Sequence, residues 1–198
     1  VVSSLIAVNL CVISGVVTAD FFTTRVSNTR YPVLRGLLLK KEKHILEKRM
    51  VQTNEELSRT YAPGKHTGQR RIMVLGSSQT FGWGAQEPEE CFVSLLEDRL
   101  NRTAAAGEHF QCLKAAIPGA TSTELLYGYE HGWKNYAPEL VVVNLGCNDK
   151  EPETYADNLR RIAILNQEAG INTLFVLEAL SDENSPNGVP NYAIMTRV

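Results

Sequence analysis

From Arg71 to Leu177, short continuous apolar runs alternate with amphipathic stretches. Ile72–Leu75, Phe110–Ala116, Glu139–Leu145 and Thr173–Leu177 are each too short for a stable helix, and their branched residues suit buried strands. Between them, Glu89–Asn101 predicts a helix with Phe92, Leu95, Leu96 and Leu100 facing inward. Thr123–Trp133 predicts a second helix, with Glu124 in its first turn. Tyr155–Ala169 predicts a third, with Leu159, Ile162, Ala163 and Leu165 on its apolar face and Gly170 ending it. The third strand is hydrophobic throughout, as expected of a parallel strand covered on both faces. Strand and helix in strict alternation predict the βαβαβαβ part of a doubly wound α/β domain. Ser181–Pro190 follows as a loop and Asn191–Val198 as the start of a further helix. The sheet is therefore expected to be incomplete at its C-terminus, with no room for a final strand.

The first 70 residues follow a different pattern. Val1–Ala19 is almost wholly apolar and carries no charge before Asp20. As a helix it would span roughly 28 Å at 1.5 Å per residue, close to the hydrocarbon core of a bilayer. It reads as a transmembrane anchor; the alternative is a signal-peptide core with Val17-Thr18-Ala19 before the cleavage site. Ser3, Ala7, Cys11, Gly15 and Ala19 recur every fourth residue, a small-residue ridge against which another transmembrane helix can pack closely. A partner subunit in the membrane is expected there. Pro32–Leu57 predicts a charged helix with Pro32 in its first turn and a partial stripe of Leu34, Leu38, Ile45 and Met50. Basic residues dominate from Arg25 to Arg49, and they suit either lipid headgroups or a solvated face. Ala62–Gln69 reads as a loop. The expected organisation is an anchor over 1–22, a juxtamembrane helix and linker over 23–70, and the α/β domain over 71–198.

Composition narrows the function. With 20 Lys+Arg against 22 Asp+Glu, nothing points to a nucleic-acid partner. Cys11, Cys91, Cys112 and Cys147 are scattered, with neither zinc spacing nor a disulfide framework, and read as free buried thiols. No metal and no cofactor is expected. The chemistry gathers at strand ends. The first strand breaks at Gly76 into Ser77-Ser78-Gln79-Thr80-Phe81-Gly82. The second runs into Ile117-Pro118-Gly119-Ala120-Thr121-Ser122-Thr123, and the third into Gly146-Cys147-Asn148-Asp149. Alone, Gly76-Ser77-Ser78 could be no more than a serine-capped turn. If the strands are parallel neighbours, however, Ser78, Gly119 and Asn148 share the carboxyl edge where open α/β sheets place their sites. A serine, a glycine N–H and an asparagine amide gathered there make a nucleophile and oxyanion donors.

At these residues the chain resembles the SGNH (GDSL-type) hydrolases. Gly76-Ser77-Ser78-Gln79-Thr80-Phe81-Gly82 resembles the family's block G-D-S-x-T-x-G, with Ser77 where aspartate is usual; Gly119 matches the second block and Gly146-Cys147-Asn148-Asp149 the third, G-x-N-D. The resemblance covers roughly Arg71–Glu178. It implies a three-layer, flavodoxin-like (SGNH-type) parallel sheet. It also implies that Ser78 is the nucleophile and that the N–H groups of Ser78 and Gly119, with the Asn148 amide close enough to Ser78 to share a bound oxygen, form the oxyanion hole. The family's base comes from a D-x-x-H block near the domain's end. No such block follows Asn148, and His44, His66, His109 and His131 read as surface histidines. Asp149 reads as a structural turn residue.

Two functions fit. One is an anchored serine ester hydrolase or acyl transferase acting on acylated glycans or lipids, its base lying beyond Val198. The other is a non-catalytic scaffold or accessory subunit of a membrane complex. The 198-residue chain alone is expected to show little or no esterase activity. Basic residues after the anchor favour a cytoplasmic domain, whereas anchored family members are usually extracytoplasmic, the side favoured here.

Overall fold

The computed structural model describes residues 32–65, 67–145 and 148–176, with side chains described from residue 43 onward. The anchor and its ridge of Ser3, Ala7, Cys11, Gly15 and Ala19, together with His66, Gly146, Cys147 and the loop and helix expected over 181–198, lie outside the described residues. Among those described, no helix is long and apolar enough to cross a membrane.

Helix α1 (Pro32–Thr60) comes first, followed by β1 (Gln69–Gly76), the single turn α2 (Ser78–Phe81), α3 (Phe92–Thr103) and β2 (His109–Ala116). Then come α4 (Ser122–His131), β3 (Leu140–Asn144), α5 (Pro152–Ala169) and β4 (Asn172–Val176). The described residues from Lys48 onward form one compact unit. The four strands make a parallel sheet in the order β2-β1-β3-β4. From β1 the chain steps outward to β2 and then crosses to β3 on the other side. The β1/β3 boundary is therefore the switch point at which such sheets open a crevice.

Alternation along the strands divides the core into two layers. Ile72, Val74, Cys112 and Val142 face one side and pack with Cys91 and Val93, joined by the partly buried Leu96, Leu100 and Phe110. Met73, Leu75, Leu113, Ala115, Val141 and Val143 point the other way and are also buried. The remaining large buried side chains come from α1, α4, α5 and the turn after α4: Leu57, Leu125, Tyr129, Trp133, Tyr155, Leu159 and Ile162. This is the expected three-layer arrangement. The inward face of α3 differs from expectation. Val93 is buried, whereas Phe92 and Leu95 are exposed. The helix starts at Phe92, after a 3-10 turn at Pro88–Glu90, and is rotated so that Val93, Leu96 and Leu100 form its core-facing stripe.

The free edge of β2 is covered by side chains. Asn101 pairs with both the N–H and the C=O of Phe110, each at 2.9 Å, and Glu97 accepts the Cys112 N–H at 2.6 Å. Edge groups that would otherwise invite another strand are thereby satisfied. At the amino end of β1, Arg71 is buried and its guanidinium donates to the carbonyls of Ala62, Gly64 and Tyr136 at 2.8–2.9 Å. A single fixed cation thus satisfies three loop carbonyls.

Candidate active site

Strand register brings the three strand-end loops to one edge. Gly76 is opposite both Ala116 of β2 and Asn144 of β3. The Ile117 N–H continues the ladder to Gly76 O at 3.2 Å. Ser78 lies two residues past Gly76, Gly119 three past Ala116, and Asn148 four past Asn144. Ser78 opens α2 and is half-buried; Gly82, at φ +96°, ends that turn in the left-handed region glycine favours. Ser77, in the family's aspartate position, is fully buried, and its hydroxyl donates to Gln79 Oε1 at 3.3 Å.

The second loop is a tight turn. Ala120 N–H bonds Ile117 O at 3.0 Å, Pro118 takes the second position, and Gly119 takes the third with φ +68°. Pro followed by a left-handed Gly is the signature of a type II turn. Gly119 is exposed at the surface.

The third loop is tied to the second. Asn148 Nδ2 donates to Ala120 O at 2.9 Å. Next to it, the buried Asp149 carboxylate accepts the Ser122 N–H at 2.9 and 3.1 Å and the Ser122 hydroxyl at 2.5 Å. Asn158 Nδ2 donates to the same hydroxyl at 2.8 Å. Asp149 thus caps the start of α4. Tyr155 supports the loop from beneath through a 2.6 Å bond to Leu145 O.

Burial pushes the Asp149 carboxyl above its ordinary value, against the lowering effect of its bonds to Ser122. A group with a raised folded pKa contributes stability that is complete below its unfolded pKa and is lost as pH rises through the folded one. In Asp149→Asn that loss should disappear. Urea midpoints measured upward from about pH 4 should fall less in the variant than in the parent. Parallel profiles would show that Asp149 does not titrate in this way.

Neither His109 nor His131 is at this edge. His109 begins β2, at the end opposite Gly76, and His131 ends α4, stacked on Tyr127. Cys91 and Cys112 are free and buried, and burial together with Glu97 pushes the Cys112 thiol up to about 12, so it is protonated and inert. Among the described residues no cluster of His, Cys, Asp or Glu is arranged to hold a metal.

One contributor was missed in reading the sequence: Arg49 of α1. Its Nη2 donates to Pro118 O at 2.9 Å and its Nη1 pairs with Glu124. One turn later Thr53 Oγ1 donates to Ala116 O at 2.7 Å. No periodic signal could have joined residues this far apart in the chain.

No protein-family model and no curated protein matches the chain. Solved structures do. A two-domain esterase active on acetylated mannans superposes with a TM-score of 0.56 at 19% identity, over 75% of this chain and 39% of that one. The chain thus spans well under half the length of that esterase. The protein TesA matches with a TM-score of 0.55 at 24% identity, over 65% of this chain and 74% of its own. A Desulfitobacterium hafniense DCB-2 protein assigned to the lipolytic G-D-S-L family matches with a TM-score of 0.52 at 15% identity, over 62% of this chain and 66% of that one. The parallel sheet with its strand-end loops thus has the α/β fold of the SGNH (GDSL-type) esterases.

Proposed function

We propose that the protein is a membrane-anchored serine ester hydrolase or acyl transferase with Ser78 as its nucleophile. The observation that carries this reading is the common register of Gly76, Ala116 and Asn144, which sets the Ser78, Gly119 and Asn148 loops around the switch point. The Ser78 Oγ adds to an ester carbonyl and gives its proton to a base, and the carbonyl oxygen becomes an oxyanion. The N–H groups of Ser78 and Gly119 and the amide of Asn148 stabilise that charge. Collapse of the intermediate expels the alcohol, which takes up the proton, and leaves an acyl-Ser78 ester. Water or a second alcohol then accepts the acyl group. The base is a group other than His109 or His131. An acylated glycan or lipid is the substrate class, and the neighbouring esterase active on acetylated mannans supports the glycan. Val1–Ala19 would hold the domain at a membrane, on its extracytoplasmic side, with a partner helix on the small-residue ridge.

Neither of the described histidines after α1, His109 and His131, lies at the carboxyl edge that carries Ser78. That observation favours a second reading, a scaffold without turnover. Fluorophosphonate treatment of the natural full-length protein in membranes separates the two, because only an activated serine displaces the fluoride. The expected result is an adduct on the peptide containing Ser78, recovered in the membrane fraction, together with hydrolysis of an aryl acetate. An intact protein without adduct or hydrolysis would overturn the enzyme reading in favour of the scaffold.

A further inference from the structure

Arg49 stands on a helix outside all three loops, yet it grips the turn that carries Gly119. Its Nη2 bonds Pro118 O at 2.9 Å, and this oxygen belongs to the same peptide unit as the Gly119 N–H. That peptide is trans, so its C=O and N–H point in opposite directions. A cation held on the oxygen therefore sets where the N–H is aimed.

We propose that Arg49 is a positioning residue for catalysis, which holds and polarises the Pro118–Gly119 peptide so that the Gly119 N–H faces the oxyanion. This rests on the ester-hydrolase reading above. Two physical effects combine. The central peptide of a four-residue turn can flip between the type I and type II arrangements, and the flip reverses its N–H. Gly119 at φ +68° is in the type II state, and the guanidinium bond on Pro118 O opposes rotation out of it. A charged donor on the carbonyl also draws electron density from the peptide nitrogen and strengthens the N–H as a donor.

The clamp is itself held in place. Glu124 pairs with Arg49 through Oε1 while its Oε2 accepts the Thr121 N–H at 2.9 Å, closing a capping box at the start of α4. Thr53, one turn along α1, fixes the end of β2 by its bond to Ala116 O. A β-carbon built on Gly119 would lie 3.9 Å from Arg49 Nη2, so the guanidinium borders the turn without crowding it. The Arg49 side chain is 39% exposed, so its replacement opens no cavity in the core, and Glu124, which loses its cation, keeps its bonds from Thr121.

The test compares ester turnover with affinity for an arylboronic acid, whose tetrahedral serine adduct places an oxygen in the oxyanion hole. In the natural full-length protein, Arg49→Met should lower kcat about ten- to a hundredfold, less than outright removal of a donor. KM should stay within about twofold, as for an interaction made only in the transition state. Boronate affinity should fall by the same factor as kcat, and Arg49→Lys should lie between parent and Arg49→Met. Parent-like kcat and boronate affinity in Arg49→Met, or a KM that rises while kcat holds, would overturn the proposal. Should Arg49→Met not fold, Arg49→Lys decides: a joint severalfold fall supports the proposal, and no fall in either quantity overturns it. A parent protein with neither turnover nor boronate binding would overturn the hydrolase reading and this inference with it.

Discussion

Gly76→Ala is expected to destabilise the protein by about 3 kcal/mol or more, the upper end of what overpacking a core costs. The added β-carbon would lie 1.9 Å from Thr80 Oγ1, 2.5 Å from Thr80 Cβ and 2.8 Å from the backbone oxygen of Asn144. None of these can retreat easily. Thr80 is fully buried in the turn that folds back from the strand end, and Asn144 O belongs to the neighbouring strand. The conflict must therefore push α2 off the sheet or pry β1 from β3. Either movement displaces Ser78, so activity should fall along with stability. Thr80→Ala removes the nearest atom and should recover part of the loss in the double variant, a coupling that a mutant cycle in urea can measure. Among the described residues Thr80 Oγ1 has no hydrogen-bond partner, so truncation forfeits packing but no bond. A Gly76→Ala protein as stable as its parent would show that the strand end is looser than these distances require.

What could be read from the residues beforehand depended on how local its cause was. Val141–Val143 and Ile72–Leu75 announce buried strands because both faces of a central parallel strand need apolar side chains, and both were recovered with their ends shifted by a few residues. Gly170 marked the end of α5 because a left-handed cap is a property of one residue, and its φ is +68°. Helix α1 is the contrary case. Its expected stripe included Ile45, which is half-exposed, while the buried residues beyond Met50 are Thr53 and Leu57. Besides the buried Met50 and Leu57, the helix makes polar contacts to residues far along the chain: Arg49 to Glu124, Thr53 to Ala116 O, and Asn54 Oδ1 to Trp133 Nε1 at 2.7 Å. Contacts of that kind leave no period in the sequence. The same limit applied at the site. Ser78, Gly119 and Asn148 stood out because strand ends and turn residues are local signals, whereas the clamp on the Gly119 peptide appears only when distant segments meet.

The largest effect on turnover should come from the first and third loops. In the natural full-length protein, Ser78→Ala should abolish formation of the acyl-enzyme, and Asn148→Ala should lower kcat by about a hundred- to a thousandfold with little change in KM. The reason for the second is geometric. An amide carries two N–H groups in one plane, and the 2.9 Å bond from Nδ2 to Ala120 O fixes that plane and hence the direction of both. An oriented donor costs no reorganisation when charge develops on the substrate oxygen, whereas water would have to turn toward it. Asn148→Asp should be worse than Asn148→Ala, because a carboxylate there repels the oxyanion instead of merely failing to bind it. Asp149→Asn supplies the control. Its neighbour's carboxylate is spent on capping α4 through Ser122, so that variant should keep turnover close to the parent's. If Asn148→Ala turns over an aryl acetate at the parent rate while Ser78→Ala does not, the nucleophile stands and the amide is no part of the oxyanion hole. If Asp149→Asn loses as much as Asn148→Ala, the third loop acts as one structural unit and the separate role given to Asn148 fails.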